Sequence, residues 1–373
     1  MIKHAIEIAK ALIQRPSITP NDAGCQPFIA DMLQKSGFSC QFLPKGAVSN
    51  LWAAMGAGKP MLVFAGHTDV VPPGESWRHD PFLPVLENGK LYGRGACDMK
   101  GALAAMVAAA VEFAAKGPIK GTLAFLLTSD EEGPAVDGTA HVLSWLAEKG
   151  VVPDYAIVGE PTAVNRPGDT IKNGRRGSFS VDLEVNGIQG HIAYPNRAKN
   201  PIHLLAPALA EMVTVVWDEG DDFFPPTSFQ ISKIYADGGA ENIIPGKLYL
   251  RGNFRFCPKS APETLKEKFE DILKRHAIEY SARWRLSAKP YFTAPGRLTA
   301  TVSDVAARIF GMAPELSTSG GTSDGRFLAA ICPEVIEFGP MGRSAHQVDE
   351  WVEVEDLQWL AKAYLQIMES LLR

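Results

Sequence analysis

Five short acidic or histidine-bearing segments are spread along the chain: Gly66-His67-Thr68-Asp69, Cys97-Asp98-Met99-Lys100, Asp130-Glu131-Glu132-Gly133, Gly159-Glu160-Pro161 and Ala345-His346-Gln347. Imidazole nitrogens and carboxylate oxygens are the donors that divalent cations such as zinc accept. Most of the segments stand where an apolar run gives way to a glycine-rich or polar turn. That is where a central sheet delivers side chains to a cleft. Two histidines and three carboxylates meeting there would make a site for one or two metal ions, and hence a metallohydrolase.

Each segment alone also has a plainer reading. His67-Thr68-Asp69 fits a loop histidine beside a capping aspartate, or a ligand imidazole whose second N–H meets a carboxylate two residues on. Asp98 follows Gly93-Arg94-Gly95-Ala96-Cys97 and precedes a helix, so it suits an N-cap as well as a bridge between two metals. Glu131 and Glu132 are adjacent charges after a buried strand, and either a cation or exposure to water must relieve their repulsion. In a metal site one could ligate while the other moves a proton. Glu160 and His346 are weak signals taken singly. His191, in Gln189-Gly190-His191, could polarise a carbonyl oxygen. The turn Ser319-Gly320-Gly321-Thr322-Ser323-Asp324-Gly325-Arg326 offers N–H groups and hydroxyls to an anion, or is an ordinary flexible loop.

The elements that must position these groups are visible as patterns. Met61–Ala65, Thr122–Leu127 and Tyr155–Val158 are short apolar runs, expected as buried strands that empty into the polar segments. Helices are expected over Ile2–Gln14, Phe28–Ser36, Ala102–Ala115, Pro262–Ala277, Leu298–Phe310 and Val354–Leu372, with a further strand at Val335–Phe338. Strands alternating with helices predict an α/β sheet covered on both faces. After Gly177 the style changes. Phe179, Val181, Leu183 and Val185 alternate with Ser180, Asp182 and Glu184, as in a half-solvated antiparallel strand, and Leu248–Phe256 repeats the pattern. An inserted α+β domain from 179 to about 291 follows from that break.

At 373 residues two domains are the default. A net charge of -5 leaves no basic footprint for nucleic acid, and no apolar run approaches a membrane span. The N-terminus mixes charges into a helical pattern, unlike a secretory leader. Five cysteines, odd in number and without close pairing, fit reduced thiols in a cytoplasm.

Taken in order, the five segments resemble the zinc-dependent aminoacylase and carboxypeptidase (metallopeptidase) family over nearly the whole chain. The resemblance implies that His67 and Glu160 hold one Zn2+ and Glu132 and His346 the other, with Asp98 bridging both. Co2+ would substitute. It implies that Asp69 orients His67 and that Glu131 is the general acid/base. It further implies a di-zinc catalytic domain, residues 1-177 and 292-373, built on a mixed, mainly parallel sheet flanked by helices. A lid and dimerisation domain, 178-291, interrupts it. The protein would then be a homodimer in which His191 helps build the neighbouring subunit's active site. Gly66–Gly74, Ile171–Ser178, Gly190–Pro195 and the Ser319–Arg326 turn look like members acting on a small N-succinylated diamino acid. Matching positions there suggest Arg175, Ser178, Tyr194, Asn242, Arg255, Gly321 and Thr322 for substrate, and Arg forks suit its carboxylates. N-acetylornithine or another acylated amino acid is the alternative within the family. A silent relative that only binds peptide or metal would show a lost ligand or base, and none is lost. Two departures stand out. Cys97 replaces a smaller residue, as an oxidation-sensitive spot or a buried filler, and Gly342-Arg343-Ser344 lacks an asparagine found in some members.

Overall fold

Continuous apolar runs become strands with both faces covered. In the computed structural model, which describes residues 2–373 with side chains from His4 onward, Gly121–Thr128 is buried throughout and Met61–His67 after its first residue. Both lie in a mixed eight-stranded sheet. Its order is Ser39–Phe42, Asn50–Ala57, Gly121–Thr128, Met61–His67, Tyr155–Val158, Glu334–Glu337, Thr170–Lys172 and Glu315–Ser317. The four strands from Gly121–Thr128 to Glu334–Glu337 run parallel, with His67 opposite Thr128 and Ala65 opposite Val158. Their C-terminal ends therefore share one edge. Parallel neighbours require crossovers, supplied here by the helices Gly101–Ala115 and Thr139–Glu148.

Gly101–Ala115 is the packing centre of this unit. Alanines let it press against Ile2–Ile13 and Val354–Leu372, and its first ten residues are all buried. Two glycines let its N-terminal approach sit close under the sheet. A Cβ on Gly66 would lie 2.4 Å from Met99 Cε, and one on Gly159 would lie 2.7 Å from the same atom. The glycines before His67 and Glu160 are thus a packing requirement as much as a turn signal.

The chain folds into two compact units. One runs through Gly174 and resumes over Phe292–Ser317 and Ser323–Arg373; the other comprises Arg175–Tyr291 and Thr318–Thr322. The sequence boundaries were 178 and 291, and the detached five-residue piece was not foreseen. The second unit contains a four-stranded antiparallel sheet ordered Ser228–Tyr235, Lys247–Phe256, Gly177–Asn186 and Tyr280–Ala288. Phe179, Val181, Leu183 and Val185 point to its core with Phe229, Phe254 and Phe269.

Among the described residues, no helix is long and apolar enough to cross a membrane, and all five cysteines are free. Predicted helices are found within a few residues of their expected ends, and Val354–Leu372 matches at both. The helix Pro201–Thr214 escaped notice because Pro207 lies inside it. The strand Tyr280–Ala288 escaped because Ser281, Arg283 and Arg285 face outward and leave little apolar signal.

Candidate metal centre

At the shared edge of the parallel strands, two imidazoles and four carboxylates converge. His67 is the last residue of its strand. Its Nε2 lies 3.1 Å from Asp98 Oδ1 and 3.8 Å from Glu160 Oε1. His346 Nε2 lies 2.9 Å from Glu132 Oε1 and 3.5 Å from Asp98 Oδ2. The two oxygens of Asp98 thus face two histidine–carboxylate triads. In each triad the donor atoms lie within 4.8 Å of one another, and His67, Glu131 and Glu132 form a third such group. The first unit contains all seven residues singled out for metal binding, orientation and proton transfer.

Local structure explains the aim of each group. His67 Nδ1–H donates to the main-chain carbonyl of Asp69 at 2.8 Å, which leaves Nε2 as the outward donor atom. The Asp69 carboxylate is 3.7 Å from Nδ1. It accepts from Thr19 Oγ1 at 2.6 Å and from the N–H groups of Glu132 and Glu131 at 3.2 and 3.4 Å. Asp69 was expected to orient His67 through its carboxylate. Its main-chain carbonyl accepts the Nδ1–H instead, while the carboxylate accepts from the N–H groups of the Glu131–Glu132 turn. Asp98 is not a cap: the helix Gly101–Ala115 has no side-chain cap, and the Asp98 carboxylate is turned to the imidazoles instead. His346 has a left-handed backbone, φ 62, a conformation that costs energy outside glycine.

The electrostatics favour a cation. Burial, with Asp98 nearby, pushes the Glu160 carboxyl well above its usual range; burial does the same to Glu131, reinforced by Asp324 and Glu132. Burial also opposes charge on Asp98, but both histidines outweigh it and hold that group well below its usual range. Hydrogen bonds to Asp98 and Glu132 raise His346 to about 10. His67 is raised well above its ordinary value by Asp98, Glu160 and Asp69, against the cost of burial. Protons on the imidazoles thus offset the carboxylates, as divalent cations would. Glu160 Oε1 is buried with no hydrogen-bond partner among the described residues. A buried carboxylate oxygen beside an imidazole, with no hydrogen bond of its own, is the donor a divalent cation would take, so the donor set fits two such ions.

The remaining candidates belong to the second unit. Arg175 is buried and its Nη1 donates to Ser319 O at 3.0 Å. Gly320 has φ 100, and a Cβ there would lie 2.5 Å from the same nitrogen. Gly321 and Thr322 follow in that loop. Ser178 pairs with Arg255 across neighbouring strands and accepts from Asn253 Nδ2 at 3.0 Å. The rings of His191 and Tyr194 are 5.5 Å apart, and the Asn242 carbonyl accepts from Ile192 N. His191 Nδ1 accepts from Ala193 N at 3.0 Å, which places its proton on Nε2.

Sequence reasoning missed three contributors. Thr19 meets Asp69 from fifty residues away, Met99 Sδ accepts from His67 N at 3.4 Å, and Glu350 binds the loop before Asp98. Thr19 and Glu350 lie outside the five segments, and Met99, although inside one, has a side chain with no imidazole or carboxylate to mark it. Cys97 is a buried thiol donating to Met341 O at 3.1 Å, with burial and then Glu350 pushing its pKa well above the usual. That makes it a filler and not a reactive sulfur. Ser344 is occupied in clamping the backbone of Trp351, accepting from its N at 3.0 Å and donating to its O at 2.6 Å.

Residues 63–370 match the profile of Peptidase family M20/M25/M40, and the chain belongs to that family. A curated relative from Bordetella parapertussis, named succinyl-diaminopimelate desuccinylase, is 52% identical over 98% of both chains. The M20 metallo-carboxypeptidase Sso-CP2 from Sulfolobus solfataricus superposes with a TM-score of 0.83 at 17% identity, over 98% of both chains. A Bacillus subtilis dinuclear metal binding peptidase of the M20 family superposes with a TM-score of 0.71 at 17% identity, over 98% of both chains.

Proposed function

We infer that the chain hydrolyses N-succinyl-LL-2,6-diaminopimelate to succinate and LL-2,6-diaminopimelate, a step toward lysine and cell-wall precursors. The observation that carries the hydrolytic reading is the pair of triads sharing Asp98. The substrate follows from full-length identity to relatives named for that activity. His67, Asp98 and Glu160 would hold one divalent cation, and Asp98, Glu132 and His346 the second. Zinc suits this nitrogen-and-oxygen donor set, and Co2+ would substitute. When bound, the pair supplies Lewis acidity and makes water a nucleophile near neutral pH.

Glu131 takes a proton from the attacking water as the new C–O bond forms and the carbonyl π pair moves to oxygen, then returns it to the amine nitrogen as that pair re-forms the carbonyl and the C–N bond breaks. The His191 Nε2–H is a donor suited to the carbonyl oxygen as negative charge develops there. Arg175 and Arg255 are the cations for substrate carboxylates, with Ser178, Tyr194, Asn242, Gly321 and Thr322 supplying weaker polar contacts. We take 178-291 as a lid and dimerisation domain. The enzyme is then a cytoplasmic homodimer in which His191 serves the neighbouring copy.

Comparing turnover of N-succinyl-LL-2,6-diaminopimelate with N-acetylornithine tests the reaction; clear preference for the acetyl compound overturns it. Mixing H191A with E131Q copies tests the dimer. Exchange of subunits should restore activity that neither variant has alone, and no recovery after confirmed exchange removes His191 from the partner's site.

A further inference from the structure

The carboxylate of Glu350 is fully buried yet touches no proposed ligand side chain. Its Oε1 accepts from Cys97 N at 2.8 Å and Asp98 N at 3.0 Å, and its Oε2 from Gly95 N at 2.9 Å. Arg94 Nη1, itself buried, donates to Oε2 at 2.7 Å. Arg94 Nη2 also donates to Pro73 O at 3.1 Å, in the segment that follows His67 and Asp69. The Gly93 N–H donates to the main-chain carbonyl of Glu350 at 2.9 Å. One charged side chain therefore gathers successive N–H groups of the loop that aims Asp98. It stands four residues after His346 and ties that histidine's loop to the first.

We propose that Glu350 is the positioning residue of the metal centre, holding Asp98 so that its two oxygens face the two triads. The inference rests on the metal reading above and deepens it. A buried carboxylate with three backbone donors and a guanidinium is fully satisfied. A glutamine in its place would turn an NH2 toward N–H donors and release part of the loop. Groups that orient metal ligands typically change metal affinity by about 10–100-fold when altered.

The test is a Co2+ titration of chelator-treated full-length protein, followed by visible absorption. Wild type should take up two equivalents. E350Q should bind both about 10–100-fold more weakly, with an altered absorption band, because Asp98 serves both sites. Y364F is the control: it removes the buried Tyr364 Oη donor to Phe338 O and should lower Tm while leaving Co2+ affinity unchanged. E350Q binding Co2+ within about twofold of wild type overturns the proposal. If E350Q does not fold, R94M/E350Q leaves no orphaned buried charge and is read by the same two criteria. Wild-type protein that takes up no Co2+ overturns the metal reading, and this inference with it.

Discussion

The proton-transfer role proposed for Glu131 depends on its neighbours more than on its own chemistry. Burial and nearby Asp324, Glu132 and Asp98 push its carboxyl well above the usual range, while His67 works against the rise. E131Q should leave metal content at the wild-type level by elemental analysis and lower kcat by about 10²–10⁴-fold. Near-normal turnover would remove Glu131 from the proton-transfer step. His346 gives a second prediction. Its pKa is raised from 6.5 to about 10, so the pairing that raises it stabilises the metal-free protein fully below pH 6.5 and is lost as pH climbs through about 10. A cation at this site must displace that proton. Metal affinity should therefore tighten with pH between 6.5 and 8, by up to about tenfold per unit for each proton released. Chelator competition at the two pH values reads this out, and an unchanged affinity contradicts it. The cluster of candidate ligands was legible because their residue types and chain order are distinctive. The detailed work of Asp69 was not, since only coordinates distinguish its carbonyl from its carboxylate.

Elements position these groups through close approach. At Gly66 a methyl group would collide with Met99 Cε and with Leu103 Cδ2 at 2.8 Å. G66A should cost about 1–3 kcal/mol of stability by denaturant unfolding. G66A/M99A should recover part of it, and absence of recovery would place the strain elsewhere. In the first turn of Val354–Leu372, Asp356 is buried beside Glu353 and Glu355. Burial first, then those neighbours, raise it to about 7, and its Oδ2 has no hydrogen-bond partner among the described residues. The native state holds this proton longer than the unfolded chain, whose carboxyl titrates near 3.8. Stability contributed here is full below that value and falls as pH rises through about 7. D356N should consequently gain stability at pH 8, on the order of 1–2 kcal/mol after partial solvation is discounted, and none at pH 3.5. Equal effects at both pH values would exclude titration as the cause. Apolar runs made the central strands and this helix legible. The Ser39–Phe42 and Asn50–Ala57 pair was not, since its outer strand is largely exposed.

For the whole molecule, two separate hydrophobic clusters set the expectations. One joins the helices to the eight-stranded sheet and the other fills the second unit. All proposed metal ligands lie in the first unit. Calorimetry should show a transition that rises on adding metal, by about 4 kcal/mol at a thousandfold excess over Kd, and another that does not. One transition moving as a whole would refute independent cores. The compositional break after Gly177 exposed the insertion in the sequence. The return of Thr318–Thr322 to the second unit has no compositional mark, because it depends on Arg175 reaching the Ser319 carbonyl. The chain order of the donors has a consequence for biosynthesis. His67, Asp98 and Glu160 have all been made before the second unit begins, whereas His346 and the Glu350 that anchors the Asp98 loop are made only after it. A nascent chain on the ribosome can offer one triad early but not the other, so loading of both cations is deferred until the second unit has been synthesised.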